Sequence, residues 1–307
     1  MSKIAFIFPG QGAQKAGMGK DFYEKSSVAR RIFDQASQYL ELDMSKLCFE
    51  KNDQLDITEY TQAAMVTTCL AIAREAMDRG LKPDVTAGLS LGEYCAIAVA
   101  GGFLDEDAIK LVRKRGILMQ NTVPKGKGAM SAIMGMDGKD IEKVLEGIEG
   151  AFIANYNCPG QIVITGYTEA VLEAKDRLLQ SGAKKAMMLN VSGPFHSPLL
   201  QEAGEELLKT LKTVSTMPLD IPYVTNVTGE YVEDIEETKE LLVKQVASPV
   251  RWQQSVEKMI EEGVDSFVEI GPGRTLTGFL KKINGSVKRY NIGTVEEMEK
   301  VIQEIVG

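Results

Sequence analysis

The chain has 307 residues, of which 44% are hydrophobic and 25% charged, and its formal net charge is −8. That length accommodates one large domain or two unequal ones around a substantial core. The acidic balance argues against non-specific nucleic-acid binding, whose affinity comes from neutralised phosphates, and the single histidine, His196, excludes any metal site built from several imidazoles.

No run approaches the ~20 apolar residues of a membrane span, so no membrane partner is expected. Met1 to Phe8 leads straight into Pro9-Gly10 without the basic and apolar segments of a signal peptide, which makes the cytoplasm the expected compartment. Cys48, Cys69, Cys95 and Cys158 form no CxxC and no zinc spacing, so reduced buried thiols are expected. Asn190-Val-Ser192, Asn226-Val-Thr228 and Asn284-Gly-Ser286 match a glycosylation pattern that carries no weight in such a chain.

In chain order, Ile4 to Phe8 reads as a buried strand ended by Pro9-Gly10. Residues 21–40 and 61–79 have apolar residues at helical spacing. Val85 to Ala87 is a second short strand, followed by a small-residue helix over 91–100 that Gly101-Gly102 closes, and by another helix over 105–121. This alternation predicts a parallel α/β core. Between 123 and 190 the pattern changes to strand 128–135, helix 138–147, strands 151–155 and 161–165, helix 168–181 and strand 185–191. That β-α-β-β-α-β order is the ferredoxin-like unit. The α/β pattern then resumes with a strand over 221–226, helices over 235–246 and 251–262, and a strand over 266–270. The expected organisation is a core of residues 1–122 and 191–307 with a small inserted subdomain over 123–190.

Gly88-Leu89-Ser90-Leu91-Gly92 carries the sharpest chemical signal. It lies between a predicted strand and a predicted helix, the setting of a nucleophile elbow, where a strained turn lifts the serine hydroxyl clear of the sheet. Helix-terminal amides there face developing negative charge. A glycine-rich strand–helix turn with an incidental serine is the plainer alternative.

Pro9-Gly10-Gln11-Gly12 follows the first strand, but Lys15 stands where a dinucleotide fingerprint needs its third glycine. A polar residue between glycines at a strand end suits an oxyanion hole, and equally a simple tight turn. Ser192-Gly193-Pro194-Phe195-His196-Ser197-Pro198 reads as a rigid loop carrying the only imidazole available to a serine nucleophile. Arg115 lies late in its helix, where it could complement the helix dipole or clamp a carboxylate. Val268 to Arg274 reads as a strand leading into a structural turn. Cys95 sits in an apolar helix with no neighbouring cation and reads as an inert thiol.

Together, FPGQG at 8–12, GLSLGEY at 88–94, RGxxMQ at 115–120, Asn157-Cys-Pro-Gly-Gln161, FHSPL at 195–199 and EIGPG at 269–273 resemble the malonyl-CoA:acyl-carrier-protein transacylase family of bacterial fatty-acid synthesis. The similarity runs from residue 4 to about residue 280, with the motifs in the same order and spacing. The resemblance implies an α/β-hydrolase-like core with a ferredoxin-like insertion, Ser90 as nucleophile and His196 as base. It further implies that Gln11 and Leu91 supply oxyanion-hole amides, that Arg115 pairs with the malonate carboxylate, that Gln245 orients the histidine through its carbonyl, and that Asn157 lies nearby. Leu89 departs from the histidine usual in that family, and Phe195 before His196 agrees with malonyl-type members of related acyltransferases.

The implied substrates are malonyl-CoA and phosphopantetheinylated acyl carrier protein, with no cofactor, no metal and a monomeric state. An acidic carrier protein would need a local basic patch, for which Lys110, Arg113 and Lys114, or Lys184 with Lys185, are candidates. A serine hydrolase shares the elbow and is the rival reading, although that fold usually puts its histidine near the C-terminus. A non-catalytic binding module would form no adduct at Ser90.

Overall fold

A computed structural model describes residues 2–191 and 193–307; Met1 and Ser192, the first residue of the histidine loop motif, lie outside the described residues. Two sheets organise the chain. The larger is six-stranded in the order β10-β9-β1-β2-β7-β8, formed by β1 (Ile4–Phe8), β2 (Val85–Gly88), β7 (Tyr223–Val224), β8 (Tyr231–Val232), β9 (Ser266–Ile270) and β10 (Lys288–Ile292). All of its pairings are parallel except β7 with β8. β1 sits at its centre, and Ala5 to Phe8 are wholly buried, as a near-continuous apolar run in a parallel sheet must be.

Because β9, β1 and β2 are parallel neighbours, their carboxyl ends lie side by side. The register Phe8↔Gly88 and Ile7↔Glu269 therefore brings the 8–12, 88–94 and 269–273 motifs to one edge of the sheet. Ligand crevices of open α/β sheets form at that edge. The helices α4 (Thr58–Asp78), α5 (Gly92–Val99) and α6 (Asp105–Thr122) lie against each other over the sheet. A Cβ on Gly116 would come within 2.8 Å of the Glu59 Cα, so this glycine lets α6 approach α4 closely one residue after Arg115.

The smaller sheet is antiparallel, in the order β4-β5-β3-β6, from β3 (Gly128–Met134), β4 (Ala151–Cys158), β5 (Gln161–Tyr167) and β6 (Lys185–Met188). With α7 (Gly138–Leu145) and α8 (Thr168–Gln180) on one face, it has the predicted β-α-β-β-α-β order and its own apolar core around Ile133, Ile141, Ile164 and Leu178. β4 is irregular after Ile153, and its backbone joins the segment after α10 (Thr238–Ala247) through Val250 N–H to Ala154 C=O at 2.8 Å and Tyr156 N–H to Val250 C=O at 2.9 Å.

Several expected boundaries shift. The predicted helix 21–40 is two helices, α1 (Lys20–Lys25) and α2 (Ser27–Leu40), because Ser26 is extended and caps α2 by accepting from Ala29 N–H. The strand expected over 185–191 ends at Met188, and that over 221–226 is reduced to Tyr223–Val224. The helix expected over 235–246 opens with a 3₁₀ turn at Ile235–Glu237. Helices α3 (Met44–Phe49), α9 (Gln201–Leu211), α12 (Thr275–Ile283) and α13 (Val295–Ile305), with strands β8 and β10, were not predicted. Among the described residues no helix is long and apolar enough to cross a membrane.

Candidate active site

The chain leaves β2, turns at Ser90 and enters α5. Ser90 has φ 56°, in the left-handed region that non-glycine residues rarely adopt. The flanking glycines make that turn possible. A Cβ on Gly88 would fall 1.9 Å from the Gly92 carbonyl carbon, and one on Gly92 would fall 2.3 Å from the Phe8 carbonyl oxygen. Both contacts are with backbone, so any side chain there would force α5 away from the sheet.

Asn226, immediately beyond β7, locks the turn. Its Oδ1 accepts from Ser90 N–H at 2.7 Å and its Nδ2 donates to Gly88 C=O at 2.6 Å. The Ser90 hydroxyl lies 2.7 Å from His196 Nε2, across 106 positions of sequence. His196 Nδ1 lies 2.9 Å from the carbonyl oxygen of Gln245 in α10. A carbonyl only accepts, so Nδ1 carries the proton, and Nε2 presents its lone pair to the Ser90 O–H. Burial, helped by the nearby Arg115 charge, pushes the imidazole down to about 3, which keeps it neutral at neutral pH.

Arg115 reaches the same oxygen from α6 and is 1% exposed. Its Nη2 donates to Ser90 Oγ at 3.0 Å and to Gln245 Oε1 at 2.9 Å, and its Nη1 donates to Gln62 Oε1 at 2.8 Å. Its Nε is a buried donor with no partner among the described residues. Burial draws this guanidinium below its ordinary range.

Gln245 also donates from Nε2 to Ser90 C=O at 3.0 Å and to Glu93 Oε2 at 2.6 Å. Glu93 is fully buried in the first turn of α5, and burial pushes its carboxyl up to about 7.

Ser90, His196 and Gln62 lie on the wall of a cleft of about 500 Å³ between the two sheets, with Arg115 and Gln245 bonded to them. Gln11, Ser90, Leu91, His196 and Gln62 line it from the large sheet's side, and Met130, Asn155, Asn157 and Gln161 from the small one. The backbone N–H groups of Gln11 and Leu91 donate to no acceptor among the described residues. Leu89 lines the cleft too, its side chain close against Gly10.

Ser90, His196, Arg115, Gln245, Gln11, Leu91 and Asn157, the residues expected from the sequence, all lie at or around this cleft. Three buried residues were not expected from it: Gln62, Glu93 and Asn226. Glu93 lies inside the 88–94 motif with no role assigned to it from the sequence, and Asn226 is part of a glycosylation match given no weight.

The basic clusters fare differently. Arg113 pairs with Glu59 at 2.7 Å and lies over the Tyr60 ring, while Lys110 pairs with Glu106, so that cluster is largely neutralised locally. Lys184 and Lys185 are exposed at the start of β6. Cys95, like the other three cysteines, is a buried free thiol, with burial holding it well above the ordinary range.

The family model of the acyl transferase domain matches residues 5–300. A malonyl CoA-acyl carrier protein transacylase of Bacillus subtilis (strain 168) is 44% identical over 310 residues, which covers 99% of this chain and 98% of the relative. The crystal structure of a malonyl CoA-acyl carrier protein transacylase from Clostridium perfringens superposes with a TM-score of 0.96 at 40% identity, covering 99% of this chain and 98% of the other. A malonyl-transacylase solved in complex with its type II PKS acyl-carrier protein gives a TM-score of 0.94 at 36% identity, covering 99% and 100% respectively.

Proposed function

This chain belongs to the acyl transferase family, and we infer from that membership and from its site that it transfers malonyl from malonyl-CoA to acyl carrier protein in fatty-acid synthesis. One observation carries the reading: a buried arginine and a neutral imidazole converge on one serine oxygen, at 3.0 and 2.7 Å. The imidazole suits proton removal, and the cation suits an acyl group that ends in a carboxylate.

In the proposed mechanism Ser90 Oγ attacks the thioester carbonyl carbon while His196 Nε2 takes the hydroxyl proton. The N–H groups of Gln11 and Leu91 receive the oxyanion. Collapse breaks the carbon–sulfur bond, coenzyme A leaves as thiol with the proton from His196, and malonyl-serine remains. The phosphopantetheine thiol then attacks that ester, its proton passes to His196, and collapse returns the proton to Ser90. The Arg115 donors not used by Gln62, Gln245 and Ser90, Nε among them, are available to the malonate carboxylate. Gln245 orients the imidazole through its carbonyl, and Asn157 contributes a polar wall of the cleft.

On this reading residues 1–122 and 191–307 carry the chemistry, and 123–190 form the opposing wall. The proposed setting is the cytoplasm, consistent with the buried free thiols, and the proposed state is a monomer.

Intact-protein mass after brief incubation with malonyl-CoA tests the reading. A malonyl adduct on Ser90, discharged by holo acyl carrier protein, is expected. Steady release of free malonate without carrier protein would make the chain a hydrolase, and no adduct at all would overturn both.

A further inference from the structure

Gln245 touches the side chains of His196 and Arg115 and the backbone of Ser90. Its carbonyl holds His196 at 2.9 Å, its Oε1 holds Arg115 at 2.9 Å, and its Nε2 holds the Ser90 carbonyl at 3.0 Å. A primary amide is nearly symmetric in shape, so nothing steric fixes which end faces Arg115. Flipped, it would present N–H groups to a guanidinium that can only donate. The arrangement therefore needs acceptors on the nitrogen side: the Ser90 carbonyl is one at 3.0 Å, and Glu93 Oε2 is the nearer, charged one at 2.6 Å.

The same carboxylate oxygen accepts from the backbone N–H of Asn226 at 3.2 Å, the residue whose side chain holds the Ser90 turn. A buried carboxyl is costly unless its bonds return something, and Glu93 Oε1 has no partner among the described residues. The bonds at its Oε2 lead to Gln245 and Asn226.

We propose that Glu93 is a positioning residue for the acyl transfer, fixing the Gln245 amide so that its oxygen faces Arg115 and tying that amide to the Asn226 brace of the nucleophile. Glu93 touches no reacting atom. It sets the direction of the guanidinium and hence the preference for a carboxylate-bearing acyl group. This rests on the roles of Ser90 and Arg115 given above.

The test compares Glu93→Gln, which keeps an acceptor oxygen, with Glu93→Met, which keeps the volume without it. Single-turnover acylation by malonyl-CoA and by acetyl-CoA is followed in each, with thermal unfolding as the check on folding. Glu93→Gln should stay within about fivefold of the parent for malonyl, because the acceptor survives. Glu93→Met should lose malonyl acylation on the order of a hundredfold, as a small misplacement of reacting groups does. Its malonyl-to-acetyl ratio should also fall at least about tenfold, which a general loss of packing would not produce.

A Met variant with the parent's ratio overturns the proposal, as does a Gln variant that falls as far as Met. If Glu93→Met does not fold, the ratio in Glu93→Gln decides: a parental ratio upholds the acceptor role and a collapsed one overturns it. Failure of the underlying reading is separate, since the parent itself would then form no malonyl-serine.

Discussion

His196 Nδ1 donates to the main-chain carbonyl of Gln245 over 2.9 Å, so the imidazole is aligned by a neutral oxygen of the peptide backbone. The pair with Ser90 is a dyad in the terms used for serine catalysis, and among the described residues no carboxylate contacts the imidazole.

The electronic state of that imidazole can be read directly, because the chain has one histidine. Its folded value is pushed from 6.5 down to about 3. Imidazole nitrogen NMR should therefore show a single neutral tautomer, protonated at Nδ1, from pH 8 down to pH ~5. A folded-state titration near pH 6.5 would contradict the burial argument. The sign for stability follows: this group contributes stability in full above 6.5 and loses it as pH falls toward 3.

Arg115→Ala should separate malonyl from acetyl transfer. The guanidinium adds a charge-assisted interaction only for the acyl group that carries a carboxylate, and a difference of ~3 kcal/mol already gives over a hundredfold. Malonyl acylation of Ser90 should fall by at least that factor, with acetyl acylation falling much less. Equal losses in competition kinetics would remove the clamp role.

Asn226→Ala should damage both folding and rate. It leaves Ser90 N–H and Gly88 C=O without the partners they have at 2.7 and 2.6 Å. Buried groups left unpaired cost ~1–3 kcal/mol each, so urea denaturation should show a loss of about 2–5 kcal/mol. The turn at Ser90 should also relax, lowering acylation more than malonyl-CoA binding. An unchanged acylation rate would show that α5 and the sheet hold the turn unaided.

Glu93→Gln should gain stability relative to the parent as pH rises. The Glu93 carboxyl is pushed from 4.5 up to about 7, so its contribution is full below 4.5 and is lost as pH rises through 7. Each pKa unit is worth ~1.4 kcal/mol, so the variant should gain up to about 3 kcal/mol on the parent between pH ~5 and ~8. Denaturation midpoints at the two pH values measure it, and a gap that does not move would refute the buried-charge account.

The elbow was legible because strand, glycine, serine and glycine are local, and the base because only one imidazole exists. Gln62, Glu93 and Asn226 were not, since their roles depend on partners 53, 133 and 136 positions away that no periodicity marks. The convergence of the 8–12, 88–94 and 269–273 motifs depends on the strand order β9-β1-β2, which the chain order conceals. Other misses had a readable signal. Thr294 caps α13 by accepting from Glu297 N–H, and Val295, Met298 and Val301 recur at helical spacing along its buried face.

Besides Glu41, Ser90 and His196 are the only non-glycine residues among those described with positive φ, at 56° and 57°. Each such bend costs roughly 1–2 kcal/mol that a glycine would not incur. The two atoms that exchange a proton are thus both mounted on backbone the rest of the molecule must hold under tension. Removing the hydroxyl by Ser90→Gly should abolish acylation and yet raise the melting temperature, a trade between durability and chemistry written into the main chain. A variant that melts no higher than the parent would mean the tension is absorbed elsewhere.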